Sequence, residues 1–431
     1  MKPSACGSPE HTLNRRMFLK GGVATALATG LSSLEIPAPS LWADELKKQQ
    51  KHVLLLWLAG GASQLETWDP KPGRPTGGPF KAIPTIVPGI HICELMPKMA
   101  KLVNKVGIIR SLDTKIGEHG QASALIQRGR NAEAEVAYPD FGTVVARELA
   151  PANCPVPEYV SFYLATEGQR SGRPDSGFLG SRYAAMTLEK SAKPENIDLP
   201  AGLTEKEHLE REHLRQFLSD RFNRERNADA VQGYNGSFGR VQGLMKSDKL
   251  FNLDNEPPAM RDRYGKTDFG QHALIGRRLL EAGVPMVKVG RAWWDSHADN
   301  FESHRELVSE LDHVMSTLIL DLEARGLLES TLIVTLSEFG RTPVINKDVG
   351  RDHFASAWSC SLTGCGIKGG TVHGKTDENG TTVADGKVGA PEVVATIYKA
   401  LGINYKKNYY LGPRPIPLVA EHTEPIKTVL A

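Results

Sequence analysis

Side chains that commonly bind metal ions follow several apolar segments of the sequence. Glu338 comes after the apolar run at residues 331–336, and His353 closes the polar stretch that starts there. Asp295 and His297 lie two residues apart after another apolar run, VPMVKVG. Carboxylates and imidazoles together suit zinc or manganese better than calcium. We therefore predict a site for one divalent ion, Zn or Mn, with Asp295, His297, Glu338 and His353 as ligands.

Five further polar residues near strand ends have side chains that could bind an anion, transfer a proton or supply a hydroxyl. Guanidinium groups bind phosphate and sulfate in a bidentate way, and an imidazole can donate a proton. Hydroxyls are candidate nucleophiles, although here they are candidates by position alone. The anion-binding residues predicted on these grounds are Arg341 and Arg351, the proton donor or additional metal ligand is His119, and the candidate nucleophiles are Ser63 and Thr67.

The elements that position these residues alternate between strands and helices. Apolar runs such as HVLLLWLA, GIIRSL and TLIVTL indicate buried strands. Between them lie segments with helical spacing, including one at residues 300–325 that Asp299 is predicted to cap. Such alternation predicts an α/β fold, a doubly wound and mostly parallel sheet flanked by helices. Ligands bind at the carboxyl ends of the strands in such sheets, and the residues predicted above follow strand ends.

Two segments depart from this alternation. Residues 180–268 are charged and helical, and we predict an insertion of helices there. The stretch KGGTVHGKTDENGTTVADGK is rich in Gly, Thr and Asp, and ENG within it is a turn signal, so it predicts a small hairpin near the C-terminus. The main α/β domain is predicted to span residues 44–431.

The first 43 residues have the organisation of an export signal. Arg15 and Arg16 precede a short apolar stretch, which is followed by Pro37, Pro39 and the segment LWA that ends at the small residue Ala43. This order is typical of a twin-arginine signal peptide, which the Tat translocase recognises. We therefore expect the chain to be exported to the periplasm or the cell surface. No apolar run reaches the roughly 20 residues that a transmembrane helix needs.

Charge and cysteine content narrow the choice of partners. Removing residues 1–43 takes away four Lys or Arg and two Glu, which leaves 48 residues of each sign. A near-neutral chain argues against nucleic acid as the main partner. Outside the signal, Cys93, Cys154, Cys360 and Cys365 allow one or two disulfides in an oxidising compartment. The expected partner besides the translocase is a small-molecule or glycan ester.

Several long motifs resemble a bacterial exported family known as domain of unknown function 1501. The segments that carry the resemblance include RRMFLKGG, GGASQLETWDPKPG, HGQASALIQRGR, WWDSHADNF and SEFGRTPVINKDVGRDH. Together they run from the signal to about Gly402. The block that ends in GRDH is highly specific. The family is placed in the alkaline phosphatase and sulfatase-like superfamily, and its own reaction is not established.

The resemblance implies metal-dependent chemistry, but this sequence departs from the superfamily pattern at some positions. Superfamily members hold one or two metal ions with Asp and His, and Ser, Thr or a modified Cys attacks a phosphate or sulfate ester. On this likeness Glu338 stands at a ligand Asp, and Phe339 stands at a ligand His. Phe339 cannot bind a metal, so one of the two metal sites is weakened or absent. Neither Cys93 nor Cys154 has the sequence context of the modified Cys, which disfavours that type of sulfatase.

Three functions remain open at this point. The first is a metal-dependent hydrolase of a phosphate or sulfate ester. The second is a degenerate, non-catalytic relative that binds a sulfated or phosphorylated glycan or a cell-surface partner. The third is an exported oxidoreductase, which the sequence disfavours because it has no Gly-x-Gly-x-x-Gly after a strand and no haem or cluster spacing.

Overall fold

A mixed eight-stranded sheet forms the centre of the protein. The computed structural model describes residues 50–151, 157–162, 173–188, 192–195, 198–226 and 229–431. In spatial order the strands are β12 (Thr371–His373), β4 (Val106–Leu112), β11 (Trp358–Gly364), β8 (Thr331–Leu336), β1 (His52–Leu58), β7 (Met286–Arg291), β5 (Tyr159–Phe162) and β6 (Met186–Leu188). β11 is antiparallel to both of its neighbours, and the other pairs are parallel. The predicted mostly parallel sheet is therefore confirmed.

Helices cover both faces of this sheet. In chain order they are α1 (Pro97–Ala100), α2 (His119–Arg128), α3 (Phe141–Leu149), α4 (Glu205–Arg226), α5 (Asp229–Lys246), α6 (Pro258–Tyr264), α7 (Asp268–Glu281), α8 (Asn300–Ala324) and α9 (Ala390–Ala400). β1 shows why its sequence is apolar throughout. Leu54 and Leu56 enter one apolar cluster, whereas Val53 and Leu55 enter the cluster on the opposite face. A strand buried on both faces has no position for a polar side chain.

Helix starts show where local signals succeed and fail. Asp140 caps α3 as its position suggests, because its carboxylate accepts a hydrogen bond from Thr143 N at 2.6 Å. The predicted cap at Asp299 is wrong in its detail. Asp299 does precede α8, but its backbone is left-handed, with φ of 48°, and its side chain makes no capping hydrogen bond. A left-handed residue does not direct its carboxylate at the helix as an extended one does.

The predicted insertion contains helices α4 to α6 and also part of the sheet. β6 lies inside the predicted range of 180–268 and pairs in parallel with β5. Three residues are too few for an alternating pattern to reveal a strand. The predicted hairpin is present as β13 (Lys375–Thr376) and β14 (Val383–Asp385), although the start of that segment forms β12 in the main sheet.

Smaller antiparallel pairs complete the secondary structure. They are β2 (Ala82–Pro84) with β3 (His91–Cys93), β9 (Gly340–Arg341) with β10 (His353–Phe354), and β15 (Asn408–Leu411) with β16 (Arg414–Pro417). The last of these is a C-terminal hairpin. Within the described ranges, no helix is both long and apolar enough to cross a membrane.

Three of the four cysteines that could form the predicted disulfides lie within the described residues, and none of the three is in a disulfide. Cys93, Cys360 and Cys365 are buried free thiols. Burial raises the pKa of Cys93 and of Cys360 to about 12, so both remain protonated thiols at neutral pH. The fourth cysteine, Cys154, and the predicted signal at residues 1–43 lie outside the described residues.

Candidate metal centre

The carboxyl ends of three strands bring site residues to the predicted edge of the sheet. β7 leads to Asp295, β8 leads to Glu338, and the loop after β4 leads to His119 at the first turn of α2. His353 arrives differently, because it begins β10 and pairs with Arg341 of β9. Residues far apart in sequence thus reach one place because parallel strands end at the same edge.

The carboxylate of Asp295 is the centre of this cluster. His119 Nε2 lies 3.2 Å from Asp295 Oδ2. His297 Nε2 lies 3.0 Å from Asp295 Oδ1, and His353 Nε2 lies 3.2 Å from the same oxygen. The Nε2 atoms of His297 and His353 are 3.0 Å apart. Three imidazoles therefore direct the same ring nitrogen at one carboxylate.

The other nitrogen of each imidazole is held by an oxygen atom. His119 Nδ1 lies 2.8 Å from Glu338 Oε1, and His297 Nδ1 lies 2.7 Å from Asp352 Oδ1. His353 Nδ1 lies 2.7 Å from the carbonyl oxygen of Gly117. Metal-binding histidines usually donate their second ring N–H to a carboxylate or a backbone carbonyl, which fixes the ring and its tautomer. All three rings have this arrangement.

The spacing of the ligand atoms fits one small divalent ion. Ligand atoms from His119, Asp295 and His353 all lie within 4.8 Å of one another. Atoms that bind a tetrahedral ion at about 2.0–2.1 Å stand roughly 3.3 Å apart. The separations of 3.0 to 3.2 Å that join the imidazoles to Asp295 are close to that value. The donor set of imidazole nitrogens and a carboxylate oxygen also suits zinc.

The electrostatics of the cluster favour positive charge at its centre. Burial alone lowers the pKa of His119, but hydrogen bonds with Asp295 and Glu338 outweigh it and raise that pKa to about 9. Burial alone raises the pKa of Asp295, but hydrogen bonds from His119 and His353 and the charge of Arg341 hold it well below its usual value. A carboxylate that stays ionised can accept hydrogen bonds from the imidazoles or bind a cation.

Glu338 takes a different place from the predicted one. It is fully buried, and its Oε1 accepts hydrogen bonds from Gly60 N at 2.9 Å and from His119. Its Oε2 has no hydrogen-bond partner among the described residues. The three-residue ligand group does not include it. The contacts therefore place Glu338 behind His119, as the residue that orients this imidazole.

Gly60 connects β1 to this centre and must be a glycine. Its backbone has φ of +117°, and a Cβ atom there would lie 2.4 Å from Asp295 N. Its N–H binds Glu338, and its carbonyl oxygen accepts a hydrogen bond from Arg341. A side chain at this position would displace the backbone of Asp295.

We expect Glu338→Gln to weaken metal binding by about 10- to 100-fold, as is usual when a residue that orients a ligand histidine is changed. The amide keeps the size of the side chain but removes the charge that orients His119. Isothermal titration with Zn²⁺ measures the effect. Glu302→Gln, on the exposed side of α8, is the matched control and should bind as the wild type does. Equal affinities for both variants would contradict this role of Glu338.

The two predicted anion-binding arginines are buried and form hydrogen bonds with groups of the protein itself. Arg341 Nη2 lies 2.5 Å from Asp295 Oδ1, and Arg341 Nε donates to the carbonyl of Gly61 at 2.9 Å. Arg351 Nη2 lies 2.8 Å from Glu66 Oε1, and its Nη1 donates to two backbone carbonyls. Both arginines are fully buried. These guanidinium groups hold the loops in place, and their contacts favour a structural role over the predicted anion-binding role.

The two predicted nucleophiles are also buried. The hydroxyl oxygen of Ser63 accepts a hydrogen bond from Leu65 N at 3.3 Å, and the hydroxyl of Thr67 donates to the carbonyl of Ser63 at 2.7 Å. The backbone N–H of Ser63 donates to His304 Nε2 at 3.1 Å. These contacts favour a structural role in the turn after β1 over attack on a substrate.

The sequence assigned no role to two neighbours of the centre, Asp352 and Gly117, and placed a third, Phe339, at a ligand position that it cannot fill. Asp352 orients His297, and the carbonyl of Gly117 orients His353. The ring of Phe339 is fully buried against two imidazoles, with its centroid 4.4 Å from that of His353 and 4.9 Å from that of His119. For Asp352 the signal was adjacency to His353, whereas a backbone carbonyl leaves no signal in a sequence.

Comparison with solved structures finds distant likenesses. A PsFucS1 sulfatase from Pseudoalteromonas sp. is 13% identical, with a TM-score of 0.39, and the match covers 86% of this chain and 73% of that one. The lipoteichoic acid synthase LtaP from Listeria monocytogenes is 7% identical, with a TM-score of 0.36 and coverages of 86% and 75%. TAB5 alkaline phosphatase is 11% identical, with a TM-score of 0.36 and coverages of 83% and 99%.

Comparison of the sequence with protein families gives a direct assignment. No curated protein matches the sequence. Residues 50–430, which include every residue of the centre described above, match the family described as "Protein of unknown function (DUF1501)". This range is also most of the chain. The protein therefore belongs to the DUF1501 family.

Proposed function

We propose that this protein is a metal-dependent hydrolase that acts on a phosphate or sulfate ester. The observation that carries the proposal is the convergence of three imidazole Nε2 atoms on the carboxylate of Asp295, each at 3.0 to 3.2 Å. The oxygen behind each Nδ1 supports it, since hydrogen bonds of this kind preset the rings for a metal.

His119, Asp295 and His353 would hold one Zn²⁺ or Mn²⁺ ion, and His297 would add a fourth ligand at the rim. A bound divalent ion would supply a Lewis acid to an ester oxygen. Glu338 and Asp352 keep their imidazoles in the tautomer that presents Nε2. Arg341 keeps Asp295 ionised and in place through its hydrogen bond to Oδ1.

Substrate would reach this centre from the side of His297. The side chain of His297 is 49% exposed and that of Asp352 is 55% exposed, whereas Glu338 is fully buried. The cluster therefore has one solvent-exposed side and one buried side. An ester group that arrives at the exposed side meets the imidazoles first, and Glu338 and Arg341 lie behind them.

Turnover of simple esters tests the proposal. The purified protein is stripped with a chelator, reloaded with Zn²⁺ or Mn²⁺, and assayed with p-nitrophenyl phosphate and p-nitrophenyl sulfate. We expect activity on one of these esters that disappears on stripping and returns with one ion per chain. A protein that binds its ion tightly but hydrolyses neither these esters nor a panel of sulfated and phosphorylated glycans would contradict it.

That contradicting result would support a second candidate, a binding protein for a sulfated or phosphorylated glycan or a cell-surface partner. Phe339 favours this candidate, because its ring fills the space beside His119 and His353. A phenyl ring has no donor atom for a second metal ion at that position. Binding of sulfated glycans without turnover, measured by calorimetry, would distinguish it from the hydrolase.

We also propose that the chain works outside the cytoplasm after export by the Tat translocase. The paired Arg15 and Arg16 and the apolar stretch that follows them support this proposal. Mass spectrometry of the protein from cell fractions tests it. A periplasmic form that starts near residue 44 is expected, and a cytoplasmic chain that retains residues 1–43 would contradict it.

A further inference from the structure

Helix α4 belongs to the predicted insertion, and the face that it turns towards its neighbour α5 is polar. This face packs on α5. Arg215 Nη1 donates to Asn235 Oδ1 at 2.6 Å, and its guanidinium lies 4.3 Å from the ring centroid of Phe238. Glu212 forms an ion pair with the same arginine. The side of α4 that faces the protein is therefore held mainly by polar contacts.

The opposite side of α4 carries an apolar stripe that is open to solvent. Leu214 is 59% exposed, Phe217 is 58% exposed and Leu218 is 54% exposed. Residues at positions i, i+3 and i+4 lie on one face of a helix, so these three side chains form a continuous patch, here called the outer stripe. An amphipathic helix normally turns its apolar face inward. A helix that turns it outward marks an interaction site.

The charges along α4 divide into two halves of opposite sign. Residues 205–214 contain four Glu against one Lys and one Arg, and residues 215–224 contain three Arg against one Asp. The outer stripe lies where the halves meet. The two halves cancel, so the helix has no net charge over residues 205–224. An anionic membrane would instead attract a helix with a basic polar face.

We propose that the outer stripe binds a second copy of this chain, with the two α4 helices antiparallel across a two-fold axis. A helix that is acidic in one half and basic in the other is complementary to itself only in this orientation. With the axis between Arg215 and Gln216, Leu214 of one copy faces Phe217 of the second copy. In the same register Glu210 faces Arg221, and Glu207 faces Arg224.

The expected contact is modest in size. Twenty helical residues span roughly 30 Å, and a stable interface buries on the order of 1,200–2,000 Å² in total. One helix pair lies near the lower end of that range, so we expect a dimer that dissociates at micromolar concentrations. The metal centre is on the main sheet, so this pairing is independent of the proposed hydrolysis.

Sedimentation velocity of the full chain over a range of concentrations tests the pairing. The wild type is expected to dimerise. Phe217→Glu, which places a charge in the stripe, should raise the dissociation constant at least about tenfold. Glu210→Arg should weaken the dimer because it sets Arg against Arg221 of the second copy. The double variant Glu210→Arg with Arg221→Glu restores opposite charges and should restore dimerisation.

Two controls separate a loss of dimerisation from a loss of folding or a general change in charge. These side chains are exposed, so circular dichroism should show unchanged folding in every variant. Glu302→Arg reverses a charge on the exposed side of α8, outside the proposed contact, and should leave the dimer intact. A wild-type chain that stays monomeric at about 100 µM would overturn the proposal. So would a dimer that Phe217→Glu leaves unchanged, or vesicle binding by a monomer.

Discussion

Asp295→Asn is expected to abolish stoichiometric metal binding and, with it, hydrolysis. Asn keeps the shape of the side chain but loses the charge that three imidazoles and Arg341 surround. A metal ion supplies several kcal/mol of transition-state stabilisation, so its loss should lower the rate by about a thousandfold or more. Elemental analysis of the dialysed variant and the ester assay measure the two effects.

Asp299→Asn is the matched control for this prediction. Asp299 lies in the same loop, is exposed, and has a left-handed backbone that Asn tolerates. It should retain one ion and full activity. Equal metal content in the Asp295 and Asp299 variants would mean that the ion, if bound, lies elsewhere, and the assignment of the centre would be wrong.

Glu66→Ala is expected to cause the largest loss of stability among single changes near the site. Glu66 and Arg351 form an ion pair at 2.8 Å in which both side chains are fully buried. Removing one partner of such a pair leaves an uncompensated buried charge, which costs about 3–5 kcal/mol. Urea unfolding followed by fluorescence measures the change. Metal affinity should fall as well, because Arg351 supports the loop that ends at His353.

An exposed pair provides the comparison for Glu66. Arg74 and Glu378 form an ion pair at 2.6 Å, and their side chains are 47% and 76% exposed. Glu378→Ala should cost less than about 1 kcal/mol, because solvent screens the pair. If Glu66→Ala cost no more than Glu378→Ala, the buried pair would not be what holds this loop.

The main sheet was predictable because its strands are apolar throughout. The run in β1 has that pattern because both of its faces enter apolar clusters, and β8 is equally buried. The edge strand β6 was not predictable, because three residues with half-buried side chains carry no periodic signal. Strand direction was inferred from the alternation with helices. Among the described strands of the main sheet this inference is wrong at β11, which has no helix between it and β8.

The cluster around Asp295 was predictable in its residue types, and only partly in the contacts that each residue makes. Asp295, His297 and His353 meet as predicted, since strand ends and their loops converge. Glu338 contacts His119 and lies behind it, and spacing along the chain does not encode which of the two side chains is nearer to Asp295. Spacing also does not encode the burial of Arg341, which depends on its carbonyl and carboxylate partners in the folded structure.

Anomalous scattering from a crystal grown with zinc tests the central claim most directly. The account predicts one peak at the zinc edge, about 2.0–2.1 Å from Asp295 and from the Nε2 atoms of His119 and His353. Glu338 should lie outside this coordination sphere, bonded to His119 Nδ1. A zinc-grown crystal with no peak there, and with Asp295 still bonded directly to the imidazoles, would contradict it.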